Sequence, residues 1–316
     1  MRISFTIFLI VLIASCNTKQ SSTPYLKPGA GLVDVEGGKV WYGIMGEGSQ
    51  APYVCLHGGP GGTSRRYFDM EPLTDDRPII MIDQLGSGQS THHTDTSLLK
   101  VENFVEQVNA VVKHLKLKEY YLTGHSWGTA LALECYEAHP EGIKGIVFNS
   151  PYFSTPKWIA GTNQLVSEMP DSIQQAIAIA NRDSVYDSEA YKKANAYFSS
   201  QHLLRTKSSK HPYDTVQAPG SGFIYNYMWG PSEFRATGTL RNYDNIDALK
   251  KLNVPVLFTT GQYDEARPED VKQYVKMVKD AEYVEIPNAG HASMSDNLPV
   301  YLKAHREFAN KVDTEE

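Results

Sequence analysis

Two kinds of hydrophobic spacing alternate along the chain. Short apolar runs without polar alternation stand at 52–57 (PYVCLH), 78–83 (PIIMID), 119–124 (EYYLTG), 145–151 (GIVFNSP), 254–261 (VPVLFTTG) and 283–287 (YVEIP). Their length and their β-branched and aromatic content read as strands buried on both faces. Between them the period changes. Over 101–117, Val101, Phe104, Val105, Val108, Val111, Val112 and Leu115 fall on one helical face. Further helices are expected from Ser126 to about Pro140, over 268–279 and over 298–311. Residues 31–46 read as two strands joined at Gly37-Gly38, a hairpin turn. Repeated βα units of this kind predict a mostly parallel, doubly wound sheet with helices on both faces.

Residues 151–245 break the rhythm. They hold helix-like pieces at 170–181 and 188–204 and a Tyr- and Gly-rich stretch, GSGFIYNYMWGPSEF, with no obvious strand. We read them as a cap inserted into a core made of 29–150 and 246–316. An insertion at that point lies over the strand C-termini, where such sheets bind ligands.

The first sixteen residues differ from the rest. A basic start, Met1-Arg2, precedes an apolar run from Ile3 to Ile13, then Ala14-Ser15-Cys16. Such a run is too short for a bilayer span, which needs about 20 residues, and has the form of a secretory signal. Its I-A-S-C ending resembles a bacterial lipobox, which implies cleavage before Cys16 and a lipid on the Cys16 sulfur. The expectation is an exported, membrane-anchored protein facing the periplasm or cell surface, with 17–28 as a polar tether.

Composition narrows the partners. Net charge is −6 over 316 residues, which argues against nucleic acid. Cys55, in a strand-like run, and Cys135, in a helix-like one, read as buried free thiols. No Cys/His grouping has zinc spacing, so neither metal nor organic cofactor is expected. His92-His93 reads as a solvated loop pair.

GHSWG, residues 124–128, is a G-x-S-x-G motif between a strand and a helix. That is the sharp turn that lifts a serine above a sheet edge. A serine hydroxyl needs a base. His291, in NAGHAS, follows one strand, and Asp264, in GQYDE, follows the strand before it. The order Ser126, Asp264, His291 suits a nucleophile, an orienting acid and a base. HGGPGG, residues 57–62, follows an earlier strand. One oxyanion donor is expected from Gly58 or Gly59 and another from Trp127, the residue after the nucleophile. Such backbone N–H groups contribute about 2.7–4 kcal/mol each. A phosphate-binding loop would need a Lys-Ser/Thr ending that is missing here.

Together HGGPGG, the DQLGSGQS loop (83–90), GHSWG, GQYDE and NAGH resemble the prolyl aminopeptidases, or proline iminopeptidases, over residues 30–312. The resemblance implies an α/β-hydrolase that removes N-terminal residues, often proline, from short peptides with a free N-terminus. Glu265, directly after Asp264, looks most like the tricorn-interacting branch, which the resemblance suggests accepts other residues too. It further implies that two glutamates hold the substrate ammonium: Glu265, and Glu233 in the G-P-x-E-F segment. Tyr225, Tyr227, Trp229 and Phe234 could wall a proline pocket, with Tyr225 and Trp229 the chosen pair. Relatives often carry glycine where His125 stands, a position that neighbours the nucleophile but need not touch the chemistry. A carboxylesterase or amidase of the same fold would need the triad but neither glutamate. A catalytically dead binding module would show a damaged triad.

Overall fold

The computed structural model describes residues 24–92, 95–206 and 219–314. The expected signal, Cys16, His93 and most of the tether lie outside these residues. Where the description begins, Leu26 is already buried and exchanges backbone hydrogen bonds with Gly48. The fold therefore takes hold of the chain within the expected tether.

Among the described residues, eight strands form one sheet. They are β1 (Gly29–Val35), β2 (Gly38–Met45), β3 (Tyr53–Leu56), β4 (Ile79–Asp83), β5 (Tyr120–His125), β6 (Ile143–Asn149), β7 (Val256–Gly261) and β8 (Ala281–Ile286). Their order is β1-β2-β4-β3-β5-β6-β7-β8. The β1/β2 hairpin and β2/β4 are antiparallel, and every later pair is parallel. In β3, Val54 and Leu56 enter one core while Tyr53 and Cys55 enter the other. Both faces are covered, so the strand carries no polar alternation in sequence.

The helices are α1 (Val101–His114), α2 (Trp127–Ala138), α3 (Thr155–Ser167), α4 (Asp171–Asp183), α5 (Glu189–Phe198), α6 (Gly222–Met228), α7 (Pro268–Val275), α8 (Ser293–Asp296) and α9 (Leu298–Thr314). The expected helix over 101–117 stops at His114, because Lys116 takes a left-handed φ of 54°. The helix expected over 268–279 ends at Val275. A 3-10 segment, Ser64–Leu73, has no counterpart in the hydrophobic periods. The described residues of 151–245 hold α3 to α6 and supply no strand to the sheet. They keep a small core of their own, in which Met169, Ile177, Ala180, Tyr191, Ala194, Phe198 and Phe234 pack together. α3 was not expected. Cys55 and Cys135 are buried free thiols. No helix among the described residues is long and apolar enough to cross a membrane.

Candidate active site

Ser126 joins β5 to α2 with φ 55° and ψ −122°, a conformation costly for any residue with a side chain. The crowding around it explains both motif glycines. A Cβ on Gly124 would lie 2.2 Å from the Gly128 carbonyl oxygen, and one on Gly128 would lie 2.0 Å from that of Leu56. The turn is pinned by the Ser126 N–H on Asn149 O (3.1 Å) and by Thr129, whose N–H donates to Ser126 O (2.8 Å). Trp127 is the first residue of α2, so its N–H has no partner within the helix and sits at the positive end of the helix dipole.

The acid and base meet as the sequence suggests. His291 Nδ1 lies 2.8 Å from Asp264 Oδ1. Asp264 is 1% exposed, and its oxygens also accept from Ala266 N (2.8 Å), Gly261 N (3.1 Å) and Ser150 Oγ (2.5 Å). Ser150 itself has a φ of 50° at the end of β6 and was not singled out in the sequence. Charge-assisted bonds of this kind hold a carboxylate ionised and in place.

His291 is gripped through its backbone as well. Its N–H donates to His202 O (2.7 Å), and the next N–H, of Ala292, donates to Leu203 O (2.7 Å). Asp296 fastens the same clasp, accepting from Gly290 N (2.9 Å), Arg205 N (3.0 Å), Thr206 N (2.8 Å) and Thr206 Oγ1 (2.8 Å). The segment after α5 is thus stitched to the loop that carries the base. Replacing Asp296 with Asn keeps the shape but removes the charge from these bonds, a loss of about 1–2 kcal/mol. We expect kcat to fall about tenfold with KM little changed. A lower thermal midpoint with kcat intact would make Asp296 a structural tie alone.

His125 reaches His291 without touching its ring nitrogens. Its Nε2 lies 2.8 Å from the His291 carbonyl oxygen, and the two rings are 4.7 Å apart. Burial first, then the neighbouring His291, pulls its pKa down to about 3. It is therefore a neutral imidazole that donates to the base's own backbone.

The glycine loop is braced from behind. A methyl on Gly58 would sit 3.1 Å from Cβ of Ser126, so this backbone lies against the nucleophile. His57 Nδ1 is 2.8 Å from Gly58 O, and its Nε2 accepts from Gln84 N at 3.0 Å. Burial lowers the His57 pKa, which suits this neutral tautomer. The Gln84 amide donates to His57 O (3.2 Å) and accepts from the Trp127 indole (3.0 Å). One side chain thus ties together the two stretches expected to supply oxyanion donors. Asp83 before it gathers Ser64 N, Ser64 Oγ and Gln89 N, each at 2.8 Å. These bonds give the DQLGSGQS motif a bracing role.

Ser126, His291, Gly58, Gly59, Trp127, Glu233 and Glu265 all line one cleft of about 990 Å³. Tyr225 and Trp229 line it too, as does Trp158 of α3, whose ring stands edge-on 5.4 Å from His291. Phe234 and Tyr227 do not line it. Phe234 packs on Phe198 in the small core, and Tyr227 stacks on Phe223. Glu233 Oε1 is hydrogen-bonded by the Tyr225 hydroxyl. Glu265 is 3% exposed, and its Oε2 is buried with no hydrogen-bond partner. Its Oε1 stands 3.8 Å from His291 Nε2. Burial, then the Glu233 charge, then Asp264, raises the Glu265 pKa well above the usual range, and burial raises that of Glu233. Two acids with raised pKa values thus line one cleft, and one of them has an unmet oxygen.

A serine on a strained strand–helix turn, sharing its cleft with the histidine of an Asp–His pair carried after β7 and β8, defines a hydrolase of the α/β class. Residues 52–298 match the family described as the alpha/beta hydrolase fold. A proline iminopeptidase from Heyndrickxia coagulans is 34% identical over 287 residues, covering 89% of this chain and 99% of that one. The crystal structure of VinJ superposes with a TM-score of 0.83 at 27% identity, covering 90% of this chain and 100% of VinJ. That of proline iminopeptidase from Mycobacterium smegmatis gives 0.80 at 24% identity, covering 91% and 99%, and attests the shared fold. With a third of its positions shared along nearly the whole length of such a relative, the chain belongs to the proline iminopeptidases within the α/β hydrolases.

Proposed function

We propose that the chain is a serine aminopeptidase that releases N-terminal residues, proline foremost, from short peptides. His291 Nε2 takes the Ser126 proton as Oγ adds to the carbonyl carbon of the first residue. The carbonyl electron pair moves to oxygen and is met by N–H groups of the Gly58–Gly59 loop and of Trp127. Collapse breaks the C–N bond, and the leaving amine takes the proton from His291. This leaves an acyl-enzyme, which water, deprotonated by the same imidazole, hydrolyses to the free amino acid and Ser126. Asp264 holds the imidazole by Nδ1 and stabilises its charged form. Glu233 and Glu265 receive the α-ammonium, and Trp158, Tyr225 and Trp229 wall the space for the first side chain.

The observation that carries this reading is a pair of acids in the same cleft as Ser126 and His291, Glu265 buried with an unmet oxygen and Glu233 half-buried. A general esterase has no use for such a pair, and burying it destabilises the empty site. The test is turnover of proline-4-nitroanilide together with titration by a fluorophosphonate. We expect activity to vanish in proportion to one phosphonyl group per chain, attached at Ser126, and proline to be cleaved faster than alanine. Full activity in the labelled protein, or a label on another residue, would remove Ser126 from the mechanism.

A further inference from the structure

The cleft has walls beyond those assigned to the first residue. Part of it is lined by the 3-10 segment Ser64–Leu73 and by the stretch after His291, through Arg65, Arg66, Asp69, Met294, Ser295 and Leu298. An aminopeptidase holds everything after the scissile bond outside the ammonium pocket, and these are the walls left for it. Lysine is missing from this lining, and the arginines present are Arg65 and Arg66. Arg66 Nη1 donates to Ser295 Oγ, which fixes one arm of the guanidinium. The side chain is exposed at the cleft wall. Its charge also reaches His125, next to the nucleophile. Of its acidic neighbours, Asp296 is already engaged by Gly290, Arg205 and Thr206.

Glu233 and Glu265 stand in one part of the cleft, and Arg65 and Arg66 stand with Asp69 and Glu71 on the 3-10 segment in another. We propose that Arg66 anchors the free C-terminal carboxylate of a di- or tripeptide, so that the cleft reads both ends of a short zwitterionic peptide. The inference rests on the aminopeptidase reading and narrows its substrate class. An extended residue spans about 3.3–3.6 Å, so the preference between dipeptide and tripeptide carboxylates reports how far the Arg66 fork stands from the scissile bond. A guanidinium fork matches a carboxylate, which a point charge does not. Asp69 and Glu71, which line the same wall, repel any carboxylate not seated on that fork.

The experiment measures proline release from Pro-Gly, Pro-Gly-amide, Pro-Gly-Gly and Pro-Gly-Gly-amide by the wild type, Arg66→Gln and Arg66→Lys. In the wild type, kcat/KM for each acid should exceed that for its amide by roughly tenfold to a hundredfold, the effect of one charged hydrogen-bonded contact. The ratio should fall to near one in Arg66→Gln and be partly kept in Arg66→Lys. An acid-to-amide ratio of one in the wild type, or an unchanged ratio in Arg66→Gln, overturns the anchor. If the wild type cleaves neither these peptides nor proline-4-nitroanilide, the aminopeptidase reading itself falls. Cleavage with a ratio of one removes the anchor alone.

Discussion

Ser126→Ala is expected to lower kcat by about 10⁶-fold, and Asp264→Asn by about 10³- to 10⁴-fold, with KM for proline-4-nitroanilide little changed in either. The two numbers differ because the two losses differ in kind. Without the hydroxyl there is no acyl-enzyme, and what remains comes from binding and the oxyanion donors. With an amide in place of the Asp264 carboxylate, the nucleophile and base are present but wrongly prepared. Each Asp264 oxygen accepts two donors in the native site: Ala266 N and His291 Nδ1 on one, Gly261 N and Ser150 Oγ on the other. An amide must turn its NH₂ towards one of these pairs. Towards His291 it forces Nδ1 to accept, leaves the proton on Nε2 and removes the base that Ser126 needs. Towards Ser150 it keeps the tautomer but loses the charge that stabilises the imidazolium. The double variant should be no slower than Ser126→Ala alone, because the residues act as one unit. A loss below tenfold in Asp264→Asn would end its orienting role.

How much of this was legible in the sequence depended on whether a residue's position is set by local pattern or by tertiary packing. The buried parallel strands were plain, because both of their faces must be apolar. α1 was plain because Phe104, Val105, Val108 and Val111 share its buried face. α3 was missed because Gly161 and Thr162 interrupt its middle, although Ser154 as N-cap with Pro156 after it was a readable start. The 3-10 segment shows no helical period because it ends on Pro72 and is held instead by Ser64 on Asp83 and by Tyr67, whose hydroxyl donates to Leu56 O.

The site divides in the same way. Ser126 and both motif glycines announce themselves, since only that spacing permits the turn. Ser150, Gln84 and Asp296 carry no signal, because a polar residue in a loop looks alike whether it braces a catalytic group or faces water. The reach of His125 was illegible for a different reason. A family pattern with glycine at that position says nothing of where an imidazole would reach, and here it reaches the backbone of the base. The aromatic residues of the Tyr-rich stretch could not be sorted by sequence, since Phe234 and Trp229 differ only in which way their part of the chain turns.

Acetylating the substrate amine is expected to cost about 10²- to 10⁴-fold in kcat/KM, and Glu265→Gln should abolish most of that discrimination. N-acetyl-proline brings neither a charge nor an N–H, so it would leave the buried Glu265 oxygen unmet and Glu233 with the Tyr225 hydroxyl alone. With the free amine, each acid gains a charged hydrogen bond of about 1.5–3 kcal/mol. The pH dependence follows from the raised pKa values of both glutamates. In the empty enzyme the folded state holds protons on this pair at pH values where the unfolded chain has lost them. Their effect on stability is therefore unfavourable once pH rises above the ordinary carboxylate range, and it grows through the raised folded pKa. Glu265→Gln removes that burden. It should raise the thermal midpoint at pH 8 while leaving it nearly unchanged at pH 4, even as free-amine turnover falls. Ammonium binding favours the ionised pair, so KM should drop as pH rises through the same range, with protons released on binding, until the substrate amine itself deprotonates near pH 8. Calorimetry of a non-cleaved proline amide analogue in two buffers of different ionisation enthalpy would count those protons. Equal turnover of acetylated and free substrates, or binding that releases no proton in the wild type, would take both glutamates out of substrate recognition. An unmoved thermal midpoint in Glu265→Gln would show that the buried pair carries no strain in the empty enzyme.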